Sequence, residues 1–130
     1  MVITNKILSI IREEVEKMNN IFNAEYVANH IFFSLEQDED SELTFQQYHQ
    51  KIKMFGNEYE LVEVDPNTLR GFAKDWDSNS VETYEYMFNN NIKVPEIVID
   101  EQNKIIDGSN RATAAMLKKK RIMAFKVIKR

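Results

Sequence analysis

The stretch from Val94 to Met116 constrains this chain more than any other: an apolar run opened by Pro95, a polar turn, a second short apolar run, then a glycine and a helix of small residues. Ile97, Val98 and Ile99 read as a strand, Glu101-Gln102-Asn103 as the turn, and Lys104 to Ile106 as the strand that follows. Ser109 or Asn110 is expected to cap the next helix. Gly108 lets backbone approach a ligand closely, and Ala112, Ala114 and Ala115 allow tight packing on a sheet. Met123 to Ile128 returns as another strand. A helix start presents unpaired N–H groups and the positive end of the helix dipole, and Arg111 adds a cation beside them, so this is a candidate anion site, for phosphate above all. The plainer reading of the same residues is a turn and a cap with Arg111 in solvent.

The front of the chain carries helical periodicity. Ile7, Leu8, Ile11, Val15 and Met18 mark a helix from about Ile3 to Met18. A second is expected from Ala24 to Glu36, capped by Asn23 and burying Val27, Ile31 and Leu35. A third runs from Glu42 to Met54, with Phe45, Tyr48 and Ile52 on one side and Gly56 as its stop. These helices are expected to pack on the later sheet or to form a small lobe beside it. The predicted fold class is therefore α+β, with a helical part over residues 1–56 and a small mixed sheet with helices over 57–130. Both belong to one domain, since 130 residues at 43% apolar content can bury on the order of two thirds of their unfolded surface.

Composition narrows the function classes. The absence of cysteine excludes disulfides and thiolate metal sites. No apolar run approaches membrane-spanning length and no leader pattern opens the chain, so a soluble cytoplasmic protein without a membrane role is expected. A net charge of −4 and a pI near 5.3 argue against duplex DNA as the main ligand. Lys118-Lys119-Lys120-Arg121 is either a local contact for nucleic acid or a phosphate tail, or a set of solvated cations at a helix end. The acidic run Glu36, Asp38, Glu39, Asp40 and Glu42 is a docking surface for a basic partner, a mimic of nucleic-acid charge, or a solvated loop between helices. His30 and His49 lie on different predicted helices without metal-ligand spacing, and no metal site is expected.

Aromatic residues crowd Phe72, Trp76, Tyr84, Tyr86 and Phe88. Tyr84 and Phe88 share a helix face and are assigned to the core; Trp76, in the polar stretch Lys74 to Ser78, is the candidate for a ligand or partner contact. Ser80 to Asn90 is expected to be helical, with Asp77, Ser78 and Ser80 at its start.

Asp107-Gly108-Ser109-Asn110-Arg111-Ala112-Thr113-Ala114-Ala115 resembles the Gly-x-x-Arg-x-x-Ala-Ala box of the ParB/sulfiredoxin-like superfamily, in particular the ParB N-terminal-like domain. Glu60 to Arg70 is similar to that family's first strand and Pro-x-x-Leu-(Arg) turn. Ser80 to Asn90 and Val94-Pro95-Glu96-Ile97-Val98-Ile99 are similar to the helix and strand that follow, so that the elements from about Tyr59 to Lys129 come in the family's order. The resemblance implies a small mixed fold whose box cradles the phosphates of ATP, CTP or a related ligand, with Mg²⁺ between them. Sulfiredoxins carry Gly-Cys-His-Arg, and with Ser109 and Asn110 in the middle positions peroxiredoxin repair is not expected. Partition proteins carry Gly-Glu-Arg-Arg, and Ser109 does not replace the carboxylate. Serine-kinase members resemble Asp-Gly-His-His-Arg; Asp107 and Arg111 match and both histidines are replaced.

The resemblance thus implies nucleotide or phosphate binding by Gly108, Ser109, Asn110 and Arg111, joined by the hydroxyls of Ser80 and Thr83, which are similar in type to those that nucleotide-binding relatives place on the neighbouring helix. The first expectation is an NTPase or phosphotransferase with Asp107 as base or metal ligand. The rival is a non-catalytic interaction protein, of the phage or plasmid inhibitor kind, that binds a protein partner through its acidic helical half. A DNA-associated partition or nuclease-like factor is the third.

Overall fold

Residues 20–34 and 43–130 are described by the structure, a computed structural model. Ile21–Asn23 forms a short strand, β1, and leads without a break into helix α1, Ala24–Ser34. Asn23 caps α1 as expected, its Oδ1 accepting the Tyr26 N–H at 2.8 Å. The predicted helix over Ile3 to Met18, the Leu35-Glu36 end of the second helix and the acidic run lie outside the described residues.

Helix α2 spans Phe45–Phe55, not Glu42 to Met54, because Thr44 and Gln47 form a capping box. The Gln47 N–H donates to Thr44 Oγ1 at 3.2 Å and the Thr44 N–H to Gln47 Oε1 at 2.9 Å. Gly56 ends the helix in extended backbone. A side chain there has no room: a Cβ would lie 2.7 Å from Val127 Cγ1 and 3.2 Å from the Lys129 carbonyl oxygen.

Strand β2 (Glu58–Val64) leads through a 3-10 turn at Pro66–Thr68 and a loop to helix α3, Ser78–Asn89. This helix starts two residues earlier than the sequence suggests, since Asp77 caps it by accepting the N–H groups of Asn79 at 2.9 Å and Ser80 at 3.3 Å. Then come β3 (Ile97–Ile99), β4 (Ile105–Asp107), helix α4 (Ser109–Lys118) and β5 (Ile122–Lys129). Lys104, expected to open β4, makes only an isolated bridge to Arg70.

The strands make one mixed sheet in the order β1-β2-β5-β3-β4, antiparallel except for the parallel pair β3 and β5. Side chains alternate across it, so each face builds its own core. On one face Tyr59, Val98, Phe125 and Val127 pack with Val27, Ala28 and Ile31 of α1 and Tyr48 and Ile52 of α2. On the other, Val64, Ile97, Ile99, Ile122 and Ala124 pack with Ala112 and Ala115 of α4, and Tyr84 and Phe88 of α3 close over them. The fold class is α+β, with α1 and α2 lying on the sheet.

Candidate functional site

The chain turns from β4 into α4 at Gly108, which takes a left-handed φ of +99°. Only glycine fits. A Cβ there would lie 2.5 Å from Arg111 Nη2 and 2.6 Å from Ile97 Cγ2, so the guanidinium folds back beneath the turn, against the glycine. Arg111 is 3% exposed, which overturns the plainer picture of a solvated cation. Among the described residues its Nε and Nη2 have no hydrogen-bond partner. Its charge neighbour among the described residues is Asp107 at the end of β4, with Nη2 3.7 Å from Oδ2, an ion pair too long to be a hydrogen bond.

Asp107 is held from the opposite layer. Tyr48, buried on α2, donates its hydroxyl to Asp107 Oδ2 at 2.7 Å. Burial pushes the Tyr48 phenol far up, and the Asp107 charge and hydrogen bond push it further, only partly offset by Arg111, so the hydroxyl stays a donor. Sequence spacing placed Tyr48 on a buried helix face beside Phe45 and Ile52. Nothing in that spacing revealed a polar contact 59 residues further along.

Ser109 and Asn110 do not cap α4, contrary to expectation; the helix has no side-chain cap. Both side chains instead hold the preceding loop. Ser109 Oγ accepts the Ala73 N–H at 2.8 Å, and Asn110 Oδ1 accepts the Asp77 N–H at 3.3 Å. The loop between Gly71, at φ +79°, and Asp77 is thereby tied to the start of α4 and carries Trp76, 46% exposed. Through Asn110 and Asp77 the starts of α3 and α4 meet. The start of α3 is capped by its own aspartate; that of α4 has only its backbone N–H groups. Ser80 stands in the first turn of α3, and Thr83 donates its hydroxyl to the Asn79 carbonyl at 2.9 Å.

Asp107, Gly108 and Arg111 therefore form one cluster, while Ser109 and Asn110 brace it. Other candidates are engaged elsewhere. His30 Nε2 lies 3.0 Å from Oε2 of the buried Glu96, whose Oε1 meets Lys93 Nζ at 3.1 Å. His49 stacks on Phe45 at 6.0 Å. Lys118 pairs with Glu85 at 3.6 Å and Arg121 with Glu63 at 3.5 Å, which neutralises part of the basic quartet. Among the described residues no helix is long and apolar enough to cross a membrane.

No family model and no curated protein matches the chain. Among solved structures, a crystal form of a Pnob8-like ParB-N domain is similar, at 20% identity and a TM-score of 0.42. The likeness covers 52% of this chain and 29% of that one.

Proposed function

We propose that the start of α4 binds a small anion, the phosphate of a nucleotide or of another phosphate compound. The observation that carries this reading is Arg111, a buried guanidinium with two unbonded donors lying against the Gly108 turn. A charged donor left unsatisfied in the interior costs at least ~1–3 kcal/mol. A phosphate oxygen at the turn supplies the missing acceptor. The uncapped N–H groups of Ser109, Asn110 and Arg111 add donors and a favourable dipole, and Gly108 brings backbone within reach.

Binding is better supported than turnover. Asp107 is the carboxylate of the cluster, and its Oδ2 is already engaged by Tyr48 and faces Arg111. With a nucleotide, Mg²⁺ is held chiefly by the phosphates, for which a single carboxylate such as Asp107 is a sufficient protein ligand.

The test is calorimetric titration of the purified chain with ATP and with CTP, each with Mg²⁺. Saturable binding is expected, and Arg111→Lys should weaken it at least ~10-fold, because a point charge replaces the planar fork that pairs with phosphate. Arg111→Ala should abolish it. Neither heat nor a thermal shift with these nucleotides or with inorganic phosphate at millimolar concentration would overturn the reading.

A further inference from the structure

We infer that Tyr48 is a positioning residue for the anion site: its hydroxyl holds the Asp107 carboxylate off Arg111 and so keeps the guanidinium donors free for a ligand. The inference rests on the anion reading and deepens it, by assigning to the front helical layer a part in a site built on β4 and α4.

A carboxylate beside a buried guanidinium should close to a charge-assisted hydrogen bond of about 2.7–2.9 Å, often through two parallel contacts. Here the nearest approach is 3.7 Å, and both Nε and Nη2 remain unbonded. What holds the pair apart is visible. Tyr48 Oη engages the same Oδ2 at 2.7 Å, from a ring fixed in the core by Ile52 and Phe32 of the front layer. Asp107 is tethered at its backbone by pairing with Val98 in the sheet. With its backbone set by β4 and its Oδ2 by α2, the carboxylate does not reach over Arg111. An anion at the Gly108 turn then meets a guanidinium whose positive charge is balanced nearby and whose donors are not consumed.

Tyr48→Phe removes the hydroxyl and leaves the ring, so packing is retained. Asp107 should then swing onto Arg111 and compete with ligand. Titrated with inorganic phosphate in the absence of Mg²⁺, so that Asp107 has no part as a metal ligand, the variant is expected to bind about tenfold more weakly than wild type, on the scale of one charge-assisted hydrogen bond regained by the competitor. In an Asp107→Asn background the competing charge is gone, so adding Tyr48→Phe should change affinity less than twofold. Equal affinity of wild type and Tyr48→Phe, or a tenfold loss that persists in the Asp107→Asn background, overturns the inference.

A ligand-free measurement separates this idea from the anion reading. The Arg111 Nε–H proton resonance should move downfield in Tyr48→Phe, as the carboxylate closes on it, and not in Tyr48→Phe/Asp107→Asn. An unmoved resonance sinks the role of Tyr48 whatever the ligand data show. A moved resonance in a protein that binds neither nucleotide nor inorganic phosphate overturns the anion reading and leaves the hold of Tyr48 on Asp107 standing. A thermal melt of each variant checks that the fold is intact.

Discussion

Gly108 and Gly71 both adopt positive φ, at +99° and +79°, yet they differ in what stands beside them, and that difference separates strain from site. At Gly108 an added methyl group collides with the Arg111 guanidinium and with the side chain of Ile97, a strand residue packed on the sheet. At Gly71 it meets the flexible Lys104 side chain, with Cγ 3.1 Å away. Both alanine variants carry the backbone cost of the left-handed region, about 1 kcal/mol or more. Gly108→Ala adds overpacking of about 1–3 kcal/mol and displaces the guanidinium, so a lower urea midpoint and lost nucleotide binding are expected together. Gly71→Ala should lower the midpoint less and bind normally. Equal losses of binding in the two would show that binding follows general stability and not the position of Arg111. The Gly-x-x-Arg spacing was legible in the sequence because it is local. That Ser109 and Asn110 turn to the loop was not, since their partners lie 36 and 33 residues away, and the burial of Arg111 was not, since it depends on how the Gly108 turn folds against Ile97 of β3.

Elements are joined across the layers by another polar contact. Glu96 lies just before β3, and His30 reaches it from α1 while Lys93 reaches it from the loop. Burial pushes the Glu96 carboxyl upward, but its own backbone N–H, Lys93 and His30 outweigh that and hold it below its ordinary value of 4.5. A carboxylate whose folded value is depressed stabilises the fold at pH above its unfolded value, and that stability is lost as pH falls through the folded value. Glu96→Gln should therefore lower stability by about 1–3 kcal/mol at neutral pH, the range for hydrogen bonds to a charged group. The gap between variant and wild type, followed by urea unfolding, should be constant well above pH 4.5 and close below it. A gap that does not change with pH would mean that Glu96 contributes by packing alone. Helix boundaries show the same limit of local reading. Thr44-x-x-Gln47 and Asp77 are recognisable caps, and weighing them over the apolar spacing would have placed α2 and α3 correctly. The His30 to Glu96 contact had no local signature.

Periodicity revealed α1 and α2 but left open whether they cover the sheet or stand apart, because a helix pattern states that a face is apolar and not what it meets. The structure resolves this through β1. Ile21-Phe22-Asn23, of which the sequence marked only Asn23, as a cap, pairs antiparallel with Glu58 to Glu60 and brings α1 onto the sheet. There Val27, Ala28 and Ile31 meet Val98, Phe125 and Val127, three strand residues that are almost wholly buried. Removal of residues 1–35 deletes both β1 and α1 while leaving Tyr48 and the whole of the Gly108 turn in the chain. The remaining sheet would expose its apolar face and offer β2 as an unpaired edge, a combination that favours association over folding. The truncated protein is expected to be aggregated or molten, with dye-accessible apolar surface and no cooperative thermal transition. It should also fail to bind nucleotide, since an α2 with no layer to pack in cannot fix Tyr48 against Asp107. A truncated chain that stays monomeric, melts cooperatively and binds ATP as the full chain does would show that the sheet with α2, α3 and α4 is self-sufficient, and that α1 lends the site nothing.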